Sequence, residues 1–360
     1  MCMEKDDLVL IKPYCREKNK AGRLRAILAK SLEGYTFDTI ATVEEFEEYD
    51  LTNKRILFAV SLGESGINLE WYAILKKIRK SGLCFQGSIG GILVDGNSEL
   101  YTKSFARELV LSANLAGCTF VGRPLVEGTR SLQNFNIAAK NLETDNMGAY
   151  MESGHELVKR VMTFDYLKKD HPKILMLHAG NKRISNSLLL WEKVKGHLKG
   201  CDIKEISLLN GTVVDCIGCP YGQCLHFGEN NTCFYGGIIS DQVYPAILEA
   251  DTLLLVCPNY NDAVSANIAA FINRLTALFM THKFYEKALF GIIVSGYSGG
   301  DIVAQQLISS LNMNKTFYLP AGFVLMETAN NPGTVLDIPG IEERAAAFAN
   351  HILINKTLKE

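Results

Sequence analysis

From residue 173 onward, short apolar runs alternate with longer stretches in which apolar residues recur at helical spacing. The runs include ILMLH (174–178), TLLLVC (252–257) and LFGIIV (289–294), with amphipathic stretches such as SLLLWEKVKGHL (187–198) between them. A continuous apolar run of this length is typical of a strand buried on both faces of a sheet. The alternation therefore predicts parallel βαβ units, with five strands and five helices in this half.

The first half of the chain repeats this arrangement more loosely, with candidate strands at 8–12, 55–61 and 90–96. Residues 91–96 (GILVDG) align with 291–296 (GIIVSG), and 125–127 (LVE) align with 325–327 (LME), both at a shift of 200 residues. Equal spacing of the two matches favours a tandem duplication, although chance likeness of two common strands is the alternative. The sequence predicts an α/β fold with two tandem flavodoxin-like, doubly wound, five-stranded parallel sheets.

The two halves differ in one connection. Residues 8 and 55, in the first and third strands of the first half, are 47 positions apart, whereas residues 174 and 252 are 78 apart. About thirty residues, at about 211–240, are therefore an insertion in the second half. We predict a first domain at 1–165 and a second at 166–360, with a linker near 162–172.

The amino-acid composition indicates which classes of protein are compatible with this chain. A charged fraction of 21%, a hydrophobic fraction of 48% and a net charge of −2 are typical of a globular protein and do not favour nucleic-acid binding. The N-terminal MCMEKDDLVLIK lacks the basic patch and long apolar core of a secretory signal. The apolar runs are far shorter than the roughly 20 residues of a membrane helix, so we expect a cytoplasmic protein without membrane contact. Ten cysteines in a reducing compartment indicate metal or redox chemistry rather than disulfides.

A polar loop follows the first strand of the second half and leads into a helix. In an open α/β sheet, ligands bind beyond the carboxyl ends of the strands, where the strand order reverses. Hydroxyl, amide and cationic side chains beside free helix-start N–H groups can hold a phosphate, although an ordinary helix cap is the alternative. The candidate phosphate-binding residues are Gly180, Lys182, Ser185, Asn186 and Ser187.

Two further polar loops follow the third and fourth strands. Tyr260 and Tyr297 offer aromatic surfaces to a planar ring, and backbone amides can bond its edge. Each loop alone is compatible with an ordinary turn, but a flavodoxin fold holds phosphate and isoalloxazine ring at these three strand ends. The candidate ring-binding residues are Pro258, Asn259, Tyr260, Asn261, Asp262, Ala263, Ser295, Gly296 and Tyr297.

These motifs resemble the NADPH-dependent FMN reductase family over nearly all of the second half. The chain keeps the family's Ser-Asn-Ser (185–187), Pro258, Tyr260, Ser265 and the FINR ending (271–274). It departs with Ala-Gly at 179–180 in place of Gly-Ser, and with a lysine in place of the loop's arginine. The resemblance implies an FMN-dependent oxidoreductase with NAD(P)H as co-substrate. Because the flavin carries the chemistry, no catalytic side chain is predicted.

Four of the ten cysteines, Cys216, Cys219, Cys224 and Cys233, fall within eighteen residues of the insertion. Closely spaced thiolates can ligate a [4Fe–4S] cluster or Zn²⁺. The stretch resembles the cysteine motif of iron–sulfur flavoproteins, but four residues separate the second and third cysteines and eight precede the last. Four alternatives remain open: a cluster that relays electrons, a zinc site, redox-active thiols, and a loop that only packs. His226 could replace one of the metal ligands.

The first half lacks these motifs, so we predict a degenerate flavodoxin-like domain without flavin. Its loop at 13–22 has no Ser-Asn pair, and the loop at 61–66 has no Pro-x-Tyr. Residues 122–130 are expected to be a turn, or an interface or substrate contact. Expected partners of the chain are a small-molecule electron acceptor or a ferredoxin-like protein, and a homodimer stays open. Alternative functions are a flavodoxin-like electron carrier or redox sensor, and a flavin-free zinc or thiol switch.

Overall fold

The chain divides into two compact units, Met1–Asp165 and Tyr166–Glu360. The computed structural model describes residues 8–15, 21–63, 65–166, 171–181, 183–209 and 213–354. Within these ranges, each unit contains one five-stranded, all-parallel sheet with helices between the strands. None of the helices there combines the length and the hydropathy that a membrane-spanning helix needs.

The sheet of the first unit has the spatial order β2-β1-β3-β4-β5. The strands are β1 (Leu8–Ile11), β2 (Asp38–Ile40), β3 (Arg55–Ser61), β4 (Ile89–Asp95) and β5 (Thr119–Gly128). The helices are α1 (Gly22–Ser31), α2 (Val43–Glu48), α3 (Leu69–Ile78), α4 (Thr102–Leu115), α5 (Asn136–Asn141) and α6 (Asn146–Thr163). Every residue of β4 is buried, as expected for a central strand covered by helices on both faces.

The sheet of the second unit has the order β7-β6-β8-β9-β10, which is the same order counted from its own first strand. The strands are β6 (Lys173–His178), β7 (Asp202–Ser207), β8 (Thr252–Pro258), β9 (Ala288–Ser295) and β10 (Val324–Thr328). The helices are α7 (Asn186–His197), α8 (Tyr221–Glu229), α9 (Tyr244–Glu249), α10 (Ala266–Thr281), α11 (Gly300–Leu307) and α12 (Ile341–Ile354). The predicted fold class is confirmed.

The last two strands of each sheet pair in the same register. Ile92 lies opposite Leu125 between β4 and β5, and Ile292 lies opposite Leu325 between β9 and β10. The two pairs are therefore related by the shift of 200 residues that aligns the sequences. This register is what a duplicated unit would show, and the duplication itself stays a prediction.

Residues 122–128 belong to strand β5, so the expectation of a turn there is wrong. The pairing with β4 shifts between Gly90 and Ile92, which marks a β-bulge. Arg123 has a φ of 50°, in the left-handed region that non-glycine residues seldom adopt. The bulge and Pro124 interrupt the regular pattern that would otherwise have identified the strand.

The connection between β7 and β8 contains the inserted residues. It holds α8, a π-helix over Ile239–Val243 and α9, whereas the connection between β2 and β3 holds only α2 in the described residues. Cys224 lies on α8 rather than in a loop, and the other three clustered cysteines flank this helix. The insertion therefore adds a helical segment whose helix α8 packs against α10.

Candidate functional site

The start of α7 combines hydroxyl groups with the N–H groups of the first helical turn. Ser185 caps the helix by accepting the N–H of Leu188 at 3.4 Å, and its Oγ lies 2.9 Å from Ser187 Oγ. The first turn of α7 carries no acidic residue that would compete for an anion. Gly180 lies against this corner, since a Cβ there would be 3.0 Å from Ser185 Oγ. Lys182 lies outside the described residues.

Asn186 joins the start of α7 to the segment that follows β10. Its amide nitrogen donates to the carbonyls of Ala329, at 3.1 Å, and Asn331, at 2.8 Å. Its carbonyl oxygen accepts the N–H of Gly333 at 2.8 Å. The side chain therefore joins two segments, and the role of Asn186 in phosphate binding stays a prediction.

The loop after β8 contains a tight turn that presents Tyr260 at its rim. Tyr260 and Ala263 exchange backbone hydrogen bonds of 3.3 and 3.1 Å. Asn261 and Asp262 between them have φ values of 53° and 56°, the pattern of a type I′ turn. Gln306 of α11 donates through Nε2 to the Asp262 carbonyl at 2.7 Å, and this hydrogen bond stabilises the turn. The Tyr260 side chain is 56% exposed and its ring is accessible.

Asn259 connects the loop after β8 with the loop after β9. Pro258 ends β8, and the amide nitrogen of Asn259 then approaches three acceptors. These are Asp262 Oδ1 at 3.3 Å, Ser295 Oγ at 3.1 Å and the Ser298 carbonyl at 2.9 Å. The two predicted ring-binding loops are therefore brought together by one side chain, whose role the sequence alone did not reveal.

The loop after β9 needs small residues because other loops approach it closely. A Cβ at Gly296 would lie 3.2 Å from Asn330 Oδ1, and a Cβ at Gly299 would collide with Asp262 Oδ1. Gly299 also has a φ of 86°, which favours glycine. Tyr297 between them is 82% exposed. The loop thus offers an accessible aromatic ring above a closely packed backbone.

Among the described residues, two buried polar atoms of the loop after β8 have no hydrogen-bond partner. They are Asn259 Oδ1 and Ser265 Oγ, the latter at the uncapped start of α10. Buried polar atoms in folded proteins are rarely left unsatisfied, so such atoms call for a partner. The start of α7 can bind an anion, and the two tyrosine rings can contact a flat ring. The two unpaired atoms can accept hydrogen bonds from donors on the edge of that ring.

All four clustered cysteines line one cavity of about 310 Å³. Cys216 is exposed and the other three are half-buried. Cys219 Sγ lies 3.8 Å from the Tyr235 hydroxyl. Burial, followed by the neighbouring Cys219, raises the pKa of Cys224. Within the described ranges, no three His, Cys, Asp or Glu residues are arranged as a metal site, so the sulfurs are gathered without being at ligating positions.

Arg274 of α10 holds both ends of this cysteine segment. Its Nη1 donates to the Val214 carbonyl at 3.2 Å, and its Nη2 donates to the Gly236 carbonyl at 2.6 Å. The side chain is only 2% exposed and also lines the cysteine cavity. Its one sequence signal was its place as the last residue of the FINR motif, which did not indicate this role.

At the corresponding edge of the first sheet, side chains of the chain itself fill the ends of β4 and β5, whereas a cavity of about 210 Å³ lies at the ends of β1 and β3. Arg23, in the first turn of α1, bonds Asp95 Oδ2 at 2.7 Å and also donates to the carbonyls of Gly96 and Arg130, at 2.9 and 3.1 Å. Burial raises the pKa of Asp95 despite this ion pair. The polar groups at the ends of β4 and β5 are therefore satisfied internally.

Residues 172–331 match the model of a protein family described as NADPH-dependent FMN reductase. This match confirms, for the second unit, the resemblance predicted from the sequence and the oxidoreductase class that it implies. A comparison with curated proteins found no match.

Several solved structures are similar to about half of the chain. An azoreductase from Bacillus anthracis is 17% identical with a TM-score of 0.35, over 52% of this chain and 100% of its own. An NAD(P)H:quinone oxidoreductase from Methanothermobacter marburgensis is 13% identical with a TM-score of 0.36, over 53% and 98%. A Trp repressor binding protein from Bacillus subtilis is 19% identical with a TM-score of 0.34, over 49% and 98%.

Proposed function

We propose that the chain, whose second unit matches the NADPH-dependent FMN reductases, is an FMN-dependent oxidoreductase that takes electrons from NAD(P)H and passes them to a small-molecule acceptor. The observation that carries this proposal is the joint geometry of the three loops after β6, β8 and β9. They combine an anion corner, two exposed tyrosines, and the buried unpaired atoms Asn259 Oδ1 and Ser265 Oγ. These features fit the phosphate, the ring faces and the polar ring edge of FMN.

When bound, FMN supplies the hydride and electron transfer. In the proposal, the N–H groups of α7 with the Ser185 and Ser187 hydroxyls hold the phosphate. Tyr260 and Tyr297 cover the ring and limit its access to water. Asn259 keeps the ring-binding loops in place and offers Oδ1 to a donor on the ring. Because bound FMN would supply the hydride acceptor, no side chain would need to act as an acid or a base.

In an extension of the same proposal, the cysteine segment holds a [4Fe–4S] cluster that would relay single electrons to a ferredoxin-like protein in place of the small-molecule acceptor. The donor set fits in kind and in number, since four cysteine sulfurs line one cavity. Within the described residues these sulfurs do not form a group arranged to hold a metal ion, so the cluster is proposed from the donor set alone. Zinc or a redox-active thiol pair would use the same donors, and metal analysis distinguishes them.

An anaerobic absorbance spectrum of the purified chain tests both parts, with flavin, iron, sulfide and zinc counted on the same sample. We expect flavin bands and a broad iron–sulfur shoulder, and we expect iron to be lost when Cys216 and Cys219 are replaced by Ala. Flavin without iron would remove the electron relay and leave a simple reductase. A protein that binds FMN but oxidises NAD(P)H with no quinone or free flavin would be an electron carrier. Colourless protein that does not bind added FMN would refute the proposal.

A further inference from the structure

The first unit has a cavity of its own at the carboxyl edge of its sheet. The cavity has a volume of about 210 Å³ and lies beyond the ends of β1 and β3. The described residues that line it all belong to this unit. In the order β2-β1-β3-β4-β5 the direction reverses between β1 and β3, and open α/β sheets bind ligands in the crevice at such a reversal. The cavity therefore lies where this fold places a ligand.

Two cationic side chains line the cavity without an anionic partner. Lys12 follows β1 and is half-buried, and Arg25 lies in the first turn of α1 and is exposed. Neither makes an ion pair or a side-chain hydrogen bond with any residue that the structure describes. Arg23, two positions before Arg25, is by contrast paired with Asp95. Two positive charges that the chain leaves unpaired therefore meet at one concave site.

No carboxylate competes for these two cations in the described part of the lining. Glu45 is close along the chain to the lining residue Ala41, but its carboxylate accepts the N–H groups of Ala41 and Thr42, at 2.6 and 3.3 Å. The first turn of α1 carries no acidic residue, and Ala21 before it has no side chain that could cap the helix. The positive end of this helix adds to the charge of the two side chains.

The remaining wall of the cavity is mainly apolar. Pro13 and Leu24 are buried, and the ring of Tyr14 is accessible because this residue is 50% exposed. The Tyr14 N–H donates to the Ala41 carbonyl at 2.9 Å, which ties the segment after β1 to the segment after β2. An accessible aromatic ring beside apolar side chains can contact a flat apolar group.

We propose that this cavity of the first unit binds a small organic phosphate. The phosphate group lies between Lys12 and Arg25, because a phosphate carries up to two negative charges at neutral pH and so matches two unpaired cations. A flat apolar group of the same molecule lies against Tyr14, Pro13 and Leu24. The volume is below the roughly 300–1,000 Å³ of pockets that hold drug-sized ligands, so the ligand is smaller than FMN. This binding does not depend on the redox function proposed for the second unit.

Calorimetric titration of the full chain tests the proposal, with phenyl phosphate, inorganic phosphate and phenol as probes. The protein is first loaded with FMN and freed of excess, so that the anion site of the second unit is occupied. Phenyl phosphate should bind more tightly than inorganic phosphate, because it also fills the apolar part of the cavity, and phenol should bind more weakly than either. The variants all lie in the first unit, so their comparison with the wild type holds whether or not the second unit binds FMN.

Three variants separate the two parts of the site. K12Q and R25Q should each weaken the binding of both phosphates by about 10–150-fold, since each loses a charged hydrogen-bonding group. Y14A should weaken phenyl phosphate by about 2–12-fold and leave inorganic phosphate unchanged, since only the stacking ring is lost. K80Q is the matched control, because Lys80 is an exposed lysine of the same unit that does not line the cavity, and it should bind as the wild type does.

An unchanged Tm shows that each variant is folded. Equal affinity of K12Q, R25Q and the wild type for phenyl phosphate would overturn the site. A loss in K80Q as large as the loss in R25Q would show a general effect of charge and would overturn it as well. Equal binding of the two phosphates by the wild type would overturn the apolar part. A wild type that bound neither phosphate at millimolar concentration would refute the whole proposal.

Discussion

Replacing Asn259 by Ala should weaken FMN binding by separating the two ring-binding loops. The amide nitrogen approaches three acceptors at 2.9–3.3 Å, but its two hydrogens satisfy only two of them fully. Each such bond contributes about 0.5–1.5 kcal/mol net, so about 1–3 kcal/mol is lost when both are removed. If FMN binding has to restore the loop arrangement that these bonds maintain, the dissociation constant of FMN should rise about 5–150-fold.

Titration of the flavin-free protein with FMN, followed by quenching of flavin fluorescence, measures this change. N134A is the matched control, because Asn134 also bonds a loop through its amide but lies in the first unit, where it donates to the Glu127 carbonyl at 2.7 Å. N134A should bind FMN with wild-type affinity. If folded N259A bound FMN within about twofold of the wild type, the reasoning that these loops must be tied together would be refuted.

Three further changes probe other features. Y297A should weaken FMN binding by about 2–12-fold without lowering Tm, because the exposed ring contributes about 0.5–1.5 kcal/mol of stacking; the same titration measures it. G228A should cost about 1–3 kcal/mol in chemical unfolding, since a Cβ at Gly228 would collide with a backbone carbonyl of α10, whereas G222A on the same helix has free space and should not destabilise. R23M leaves the Asp95 carboxylate buried without its cation and should destabilise the first unit by about 3–5 kcal/mol at pH 7. Because burial raises the pKa of Asp95 above 3.8, protonation favours the folded form, and the deficit should shrink as pH falls from 7 toward that raised pKa; a deficit that grew would contradict the argument.

The sheet could be predicted because the strand signal is local. Every residue of Ala288–Ser295 is buried, so the strand reads as an unbroken apolar run. The positions of the three loops then followed, since the carboxyl ends of parallel strands meet at one edge. The bulged strand β5 was harder to recognise, because Arg123 and Pro124 break its pattern.

The partners of individual side chains depend on distant segments and could not be predicted. Asn186 bonds a carbonyl 143 residues further along the chain, and this contact exists only once β10 has taken its place. Arg274 reaches carbonyls 60 and 38 residues before it. A motif can mark such residues as candidates, but only the folded chain shows what they bond.

The ion pair at the end of β4 and the unpaired polar atoms of the loop after β8 have different thermodynamic consequences. Where Arg23 neutralises Asp95, the compensating charge belongs to the chain itself. Asn259 Oδ1 and Ser265 Oγ, by contrast, lack hydrogen-bond partners among the described residues. A ligand that binds there only in the folded state adds RT ln(1 + [L]/Kd) to the free energy of unfolding, about 2.7 kcal/mol at a hundredfold excess over Kd. With FMN as that ligand, the stability of the second unit would therefore follow the supply of flavin.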